Sequence, residues 1–205
     1  MSDTFPVSHS ILDADALANA VLQRYGYQPI NCQLVSRGSN DIYRLRTQRG
    51  TFAVRVLRKG WRDHTQLSYE LEWVSFLAEA GLPVAAPARA QDGKFYFSVN
   101  APEGPRKVVV IHWLDGNILA PPLEGNTAER VGRLLANIHL AGAQFKPTCW
   151  REVDTMEKIL RHRASLADLL AHLPEEQAYF DGAMEWLLMQ FNQIESPPPK
   201  LHTHG

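Results

Sequence analysis

Apolar positions recur along this chain with two different periods, and each change of period marks a new element. Between Asp13 and Tyr25, the residues Leu17, Val21 and Leu22 fall at helical spacing. Asp13 is available as a cap and Gly26 as a stop, so a short leading helix is predicted. The period then drops to two. Residues 30–36, 42–46 and 51–57 read as strands joined by Arg37-Gly38-Ser39-Asn40-Asp41 and Thr47-Gln48-Arg49-Gly50, both rich in turn formers, which predicts an antiparallel meander. Helical spacing returns over residues 65–80, where Leu67, Leu71, Val74 and Ala78 build one apolar stripe that Gly81 and Pro83 terminate. Residues 85–90 and 95–99 flank Gln91-Asp92-Gly93-Lys94 as a predicted hairpin, and the β-branched run 107–111 suits a buried strand.

After Gly116 the pattern becomes helical. Asn126-Thr127-Ala128-Glu129 has the form of a capping box, and Val131, Leu134, Leu135 and Ile138 follow at helical spacing. Two further helices are predicted over 153–173 and 175–194, the second opening after Pro174 and closing before Pro197-Pro198-Pro199.

Composition narrows the function classes. At 205 residues and 45% hydrophobic, the chain can bury one sizeable core or two small ones. Its 21 basic and 22 acidic side chains offer no field of one sign, so neither nucleic acid nor an anionic membrane surface is an expected partner. The N-terminus lacks a basic region followed by an apolar stretch, and no run approaches the roughly 20 apolar residues of a bilayer span, so a cytoplasmic location is expected. Cys32 and Cys149 have no metal-ligand spacing and are expected to be reduced thiols. His202 and His204 would face the same way on a strand, but no third ligand with suitable spacing accompanies them.

Candidate chemistry begins at Phe52-Ala53-Val54-Arg55. Alternation sends Ala53 and Arg55 to one face, where a small side chain leaves room for a purine and a cation two residues on can reach phosphates. Considered alone, the arginine reads first as a solvent-facing residue of an edge strand. Glu70 on the following helix is offset from the apolar stripe and can reach back toward Arg55, with Glu72 as the rival partner. A strand cation paired with a helix glutamate is how protein kinases hold a cation against the α- and β-phosphates.

In their order along the chain, these residues resemble the aminoglycoside phosphotransferase-like superfamily, which includes choline and homoserine kinases and stress-response kinases of bacteria. Arg37-Gly38-Ser39-Asn40-Asp41-Ile42-Tyr43 is similar to the family's first turn, Tyr69-Glu70-Leu71 with Ala80-Gly81-Leu82-Pro83-Val84 and Pro87 to its helix-to-strand passage, and Gly132 and His139 match its first large-lobe helix. The resemblance implies an α+β, protein-kinase-like fold: an antiparallel sheet plus helix in an N-terminal nucleotide-binding lobe over 1–110, a hinge over 111–116, and an incomplete helical lobe over 117–205. It also implies ATP and Mg²⁺ as cofactors and a small-molecule hydroxyl as acceptor. Gly38, Ser39 and Asn40 would approach the phosphates with Arg55 and Glu70, Ala53 would face the base, and the backbone of His112, Trp113 and Leu114 would meet the adenine edge. Trp113 also reads as a core plug beside a buried strand.

The last residues, Leu201-His202-Thr203-His204-Gly205, look like the family's apolar-His-Gly-Asp turn without its Asp. The resemblance therefore implies that the catalytic Asp and both metal-holding residues lie beyond Gly205, so that this chain is inactive alone. Leu160, Leu169, Trp186, Leu187 and Phe191 would then be partly uncovered and favour self-association. The alternative reading is a non-catalytic nucleotide-binding or interaction module.

Overall fold

The computed structural model describes residues 5–123, 125–149, 160, 163, 166–167 and 169–194. These divide into two compact units, 5–149 and 160–194.

In the first unit, helix α1 (Ala14–Tyr25) is followed by β1 (Pro29–Arg37), β2 (Asn40–Thr47) and β3 (Gly50–Leu57), then α2 (His64–Glu79), β4 (Tyr96–Ala101), β5 (Gly104–His112) and α3 (Thr127–Gly142). The strands form one sheet in the order β1-β2-β3-β5-β4, with every neighbouring pair antiparallel. Local chemistry sets the helix ends as the sequence predicts at α1, where Asp13 accepts from the Ala16 N–H at 2.8 Å and Gly26 ends the helix at φ 68°. At α2 the cap is Asp63, which the apolar pattern did not single out. Its carboxylate accepts from Gln66 N at 2.7 Å while the Gln66 side chain accepts from Asp63 N at 3.2 Å, a closed capping box.

Strand alternation divides the core in two. Tyr43 and Leu45 of β2, Phe52, Val54 and Val56 of β3, and Val108 and Val110 of β5 pack against Leu17, Val21 and Tyr25 of α1. On the other face Leu57 and Val109 meet Leu67 and Leu71 of α2. Two-sided cover explains why β3 and β5 read as nearly continuous apolar runs. Each fully buried Val or Leu contributes about 1.5–3 kcal/mol, so the two helices clamp the sheet firmly. The far side of α2 packs Trp73 and Leu77 against Ile138 of α3 and Phe145.

Two expectations are corrected. Residues 85–90 form no strand of a hairpin with 95–99. Pro87 makes a single bridge to Ile111, flanked by Ala88 N donating to Val110 O at 2.8 Å and His112 N to Ala86 O at 2.9 Å. Tyr96 then pairs with Val109 further along the same edge of β5. The two segments thus run end to end along β5, with residues 89–95 looping out between them. Pro87 has no N–H to donate to a ladder, which restricts it to such an edge. The second correction is at α3, where Asn126 makes no side-chain capping bond and Glu129 instead pairs with Arg133 at 2.7 Å.

The second unit contains α4 (Pro174–Asn192), opened by a proline at its start, with Met184 buried and Asp181 paired to Arg163 at 2.8 Å. Most of the helix predicted over 153–173 lies outside the described residues, as do His202, His204 and the other last residues of the chain. Among the described residues no helix is long and apolar enough to cross a membrane.

Candidate functional site

On β3, Ala53, Arg55 and Leu57 share the face that α2 covers, and across β2 they stand opposite Arg44, Ile42 and Asn40 respectively. Glu70 sits on α2 between the buried anchors Leu67 and Leu71, so the packing of α2 fixes where its carboxylate goes. Arg55 Nη1 lies 2.7 Å from Glu70 Oε1, with both side chains partly exposed. Glu72 is not the partner: its carboxylate accepts from the Thr148 N–H at 2.9 Å and from the Thr148 hydroxyl.

Glu70 is shared. Arg62, in the loop between β3 and α2, brings Nε to 3.4 Å from Glu70 Oε2, and Lys107 Nζ donates to the Arg62 carbonyl at 2.6 Å. Two guanidinium groups thus share one carboxylate, with the Lys107 ammonium on the Arg62 carbonyl, which leaves a local excess of positive charge suited to an anion. Arg62 and Lys107 were missed by the sequence pattern: the first lies in an aperiodic loop, and the second reads as an ordinary strand-edge lysine.

Unspent hydrogen-bonding capacity marks the same face. Of the four buried side-chain N or O atoms without a partner among the described residues, three are Asn40 Oδ1, Arg44 Nε and Arg55 Nε, all on this side of β2 and β3. Leaving a buried polar group unpaired costs about 1–3 kcal/mol, so a concentration of such atoms on one face points to a partner from outside the chain. Gly38 gives a related signal in the β1–β2 turn. It has no left-handed φ, and a Cβ there would meet nothing within 4 Å, so neither backbone nor packing demands glycine. Ser39 beside it is exposed.

The end of β5 and the residues after it are less uniform. His112 is turned away, with its ring 5.1 Å from that of Phe52 on the α1 side of the sheet, and its N–H is donated to Ala86. Trp113 donates its N–H to Thr51 O at 3.2 Å and places its ring 5.8 Å from the Arg44 guanidinium. Leu114 is exposed. Of the three, Trp113 comes nearest to the face that holds Ala53 and Arg55.

A groove of about 1080 Å³ runs elsewhere in this unit, along α2 and β4, with Glu72, Phe76, Arg89 and Tyr96 in its wall and none of the expected site residues. Most of its charges are already engaged, Arg24 over the Phe97 ring, Arg89 over the Phe95 ring and on Gly93 O, Lys94 with Asp92, Glu79 with Ser75 and Glu72 with Thr148. Size favours that groove, and unspent chemistry favours the Arg55 face. Chemistry is the stronger guide, because a recognition site needs polar groups free to contact its ligand.

A family model described as the phosphotransferase enzyme family, APH, matches residues 32–205. The chain belongs to that family. Among curated relatives, an uncharacterized protein of Synechocystis is 32% identical over 176 residues, covering 85% of this chain and 49% of the relative. A homoserine kinase of Paraburkholderia phymatum is 30% identical over 157 residues, covering 70% of this chain and 45% of the relative. The chain spans about half the length of the curated relatives it matches. Among solved structures, the amicoumacin kinase hAmiN in complex with AMP-PNP, Ca²⁺ and Ami superposes with a TM-score of 0.60 at 15% identity, covering 79% of this chain and 54% of that one. Spectinomycin phosphotransferase in complex with ADP and its antibiotic gives 0.53 at 12% identity, with 92% and 60% covered. At such identities the likeness establishes the fold, which is the α+β protein-kinase-like fold of the APH phosphotransferases.

Proposed function

We propose that the Arg55 face holds the phosphates of ATP for a phosphotransferase whose acceptor is a hydroxyl of a small molecule. The observation that carries this reading is the 2.7 Å Arg55–Glu70 pair with Arg55 Nε left unspent: the guanidinium is aimed by the carboxylate and still has a donor to give. Support also comes from the solved relatives that hold AMP-PNP or ADP, and from the homoserine kinases among the curated ones.

Each residue then has a defined task. Arg55 donates to phosphate oxygens while Glu70 fixes its orientation. Arg62, on the other Glu70 oxygen, keeps that carboxylate from rotating away. The exposed turn presents the Ser39 N–H, that of Gly38 being donated to Asn40 O at 3.1 Å, and Asn40 adds a side-chain contact. Ala53 leaves room for the base, with the backbone of His112, Trp113 and Leu114 along its edge. ATP, when bound, supplies the phosphoryl group that is transferred. Mg²⁺ would arrive with the phosphates of ATP, and the neutralisation assigned to this chain is that of Arg55, aimed by Glu70. Residues 1–110 would act as the nucleotide-binding lobe, 111–116 as hinge and 117–205 as helical lobe, in a cytoplasmic protein.

Calorimetric titration with ATP and Mg²⁺ tests the reading. Saturable binding that weakens at least tenfold in Arg55→Ala and in Glu70→Ala is expected, and a wild-type chain that takes up no ATP would overturn it. The exposed Leu169, Tyr179 and Trp186 of the second unit favour self-association. Sedimentation showing a monomer at all concentrations would remove that part.

A further inference from the structure

Arg44 lies at the centre of the Arg55 face yet has no task in the phosphate contacts. It stands directly opposite Ala53 on β2, so the two side chains share the face, and it is half-buried. Its guanidinium carbon lies 5.8 Å from the Trp113 ring centroid, near the outer limit of about 6 Å for a cation–π contact. Its Nε is buried and unpartnered. A planar cation beside the position left open by a small residue, with an aromatic ring beyond, is a surface on which a flat heterocycle can stack.

Placement along the strand separates this arginine from the phosphate contacts. Arg44 is level with Ala53, and Arg55 is two residues further along β3, an offset of about 7 Å, roughly the span of a ribose. A nucleotide with its phosphates at Arg55 and its ribose along β3 therefore brings its base level with Arg44.

We propose that Arg44 is the base-contacting, specificity-determining residue of this site, its guanidinium stacking on the purine ring of a nucleotide seated beneath Ala53. The inference rests on the nucleotide reading above and adds what that reading lacks, a side chain that distinguishes one base from another. A bicyclic purine offers the guanidinium a larger face than a pyrimidine does, so the site favours ATP and GTP over CTP and UTP. Stacking also depends on the plane of the guanidinium as well as on its charge, and lysine cannot replace it.

The test is a calorimetric comparison of ATP, CTP and inorganic tripolyphosphate on the 205-residue chain and on Arg44→Leu and Arg44→Lys, each checked for an unchanged unfolding temperature. Wild type is expected to bind ATP several-fold more tightly than CTP. Both variants should weaken ATP by about 5–10-fold, in the range of a partly desolvated cation–π contact, and tripolyphosphate by less than about twofold. Equal losses for ATP and tripolyphosphate would make Arg44 a phosphate ligand and overturn the proposal, as would wild-type affinity for ATP in Arg44→Lys. If the variants do not fold, the wild-type series alone decides, because equal affinity for ATP and CTP contradicts stacking on a purine. A wild-type chain that binds neither ATP nor tripolyphosphate brings down the nucleotide reading itself, an outcome distinct from losing only the role of Arg44.

Discussion

Two arginine–carboxylate pairs occupy opposite faces of one sheet, and their surroundings give them opposite roles. On the α1 side, Arg106 and Asp41 have fully buried side chains and meet at 2.8 Å. Arg106 also donates Nε to Leu57 O at 2.9 Å and Nη1 to Ser10 O at 2.7 Å, and Asp41 accepts a further contact from His9 at 3.2 Å. This network ties the segment before α1 to the sheet, and no nitrogen of that guanidinium is left over. On the α2 side, Arg55 and Glu70 are a fifth to a quarter exposed, and Arg55 keeps a buried donor unused. A saturated, dry pair serves the fold. A partly wet pair with capacity to spare is the one we propose serves a ligand.

The comparison breaks most readily at Arg106. Arg106→Ala strands the Asp41 charge in the core and should cost about 3–5 kcal/mol in urea unfolding, whereas Arg106→Met with Asp41→Leu should recover much of the loss. A cost below about 1 kcal/mol for the single change would deny the pair its structural role. Arg55→Ala should behave in the reverse way, losing about 1 kcal/mol or less of stability while ATP binding falls at least tenfold. Arg62→Ala should have a smaller effect on ATP binding than Arg55→Ala, since it acts on Glu70 and not on the phosphates.

Acid sensitivity sharpens the same contrast. Burial pushes the Glu103 carboxyl upward, but donation from the Ser10 hydroxyl and N–H, together with the Arg106 charge, holds it below the usual carboxylate range. A carboxylate depressed in the folded state stabilises the protein above its unfolded value of about 4.3, and that stabilisation is lost as the pH falls through the lower folded value. Unfolding temperature should therefore drop on acidification below about pH 4, less steeply in Glu103→Gln, while an unchanged slope in that variant would remove Glu103 from the network. The smallest effect concerns Cys32, a free thiol pushed up to about 11, first by burial and then by Asp15 and Asp13. Iodoacetamide at pH 8 should label it only on unfolding, and rapid labelling of the native chain would show that it is not so protected.

Much of this arrangement was legible in the residue pattern, because strand alternation alone places Ala53 with Arg55, and helical spacing offsets Glu70 from Leu67 and Leu71. The choice of Glu70 over Glu72 was not, since it depends on Thr148, a residue 76 positions away that claims Glu72. Arg62 and Lys107 escaped notice for the same reason: their roles come from contacts between elements. Arg44 could have been found, as it lies before the β2–β3 turn with the right alternation, but only the observed register of β2 on β3 sets it level with Ala53. The hairpin expected around Asp92 failed because turn formers at 91–94 identify a reversal without saying which edge the flanking segments join.

The central claim is that the two faces differ in their readiness for a ligand, and arginine Nε–H resonances report on both at once. In a nucleotide titration followed by ¹H–¹⁵N spectra, the Arg55 Nε signal should shift as ATP is added while the Arg106 Nε signal stays in place. An Arg55 signal that does not respond, or an Arg106 signal that moves in its stead, would contradict the account.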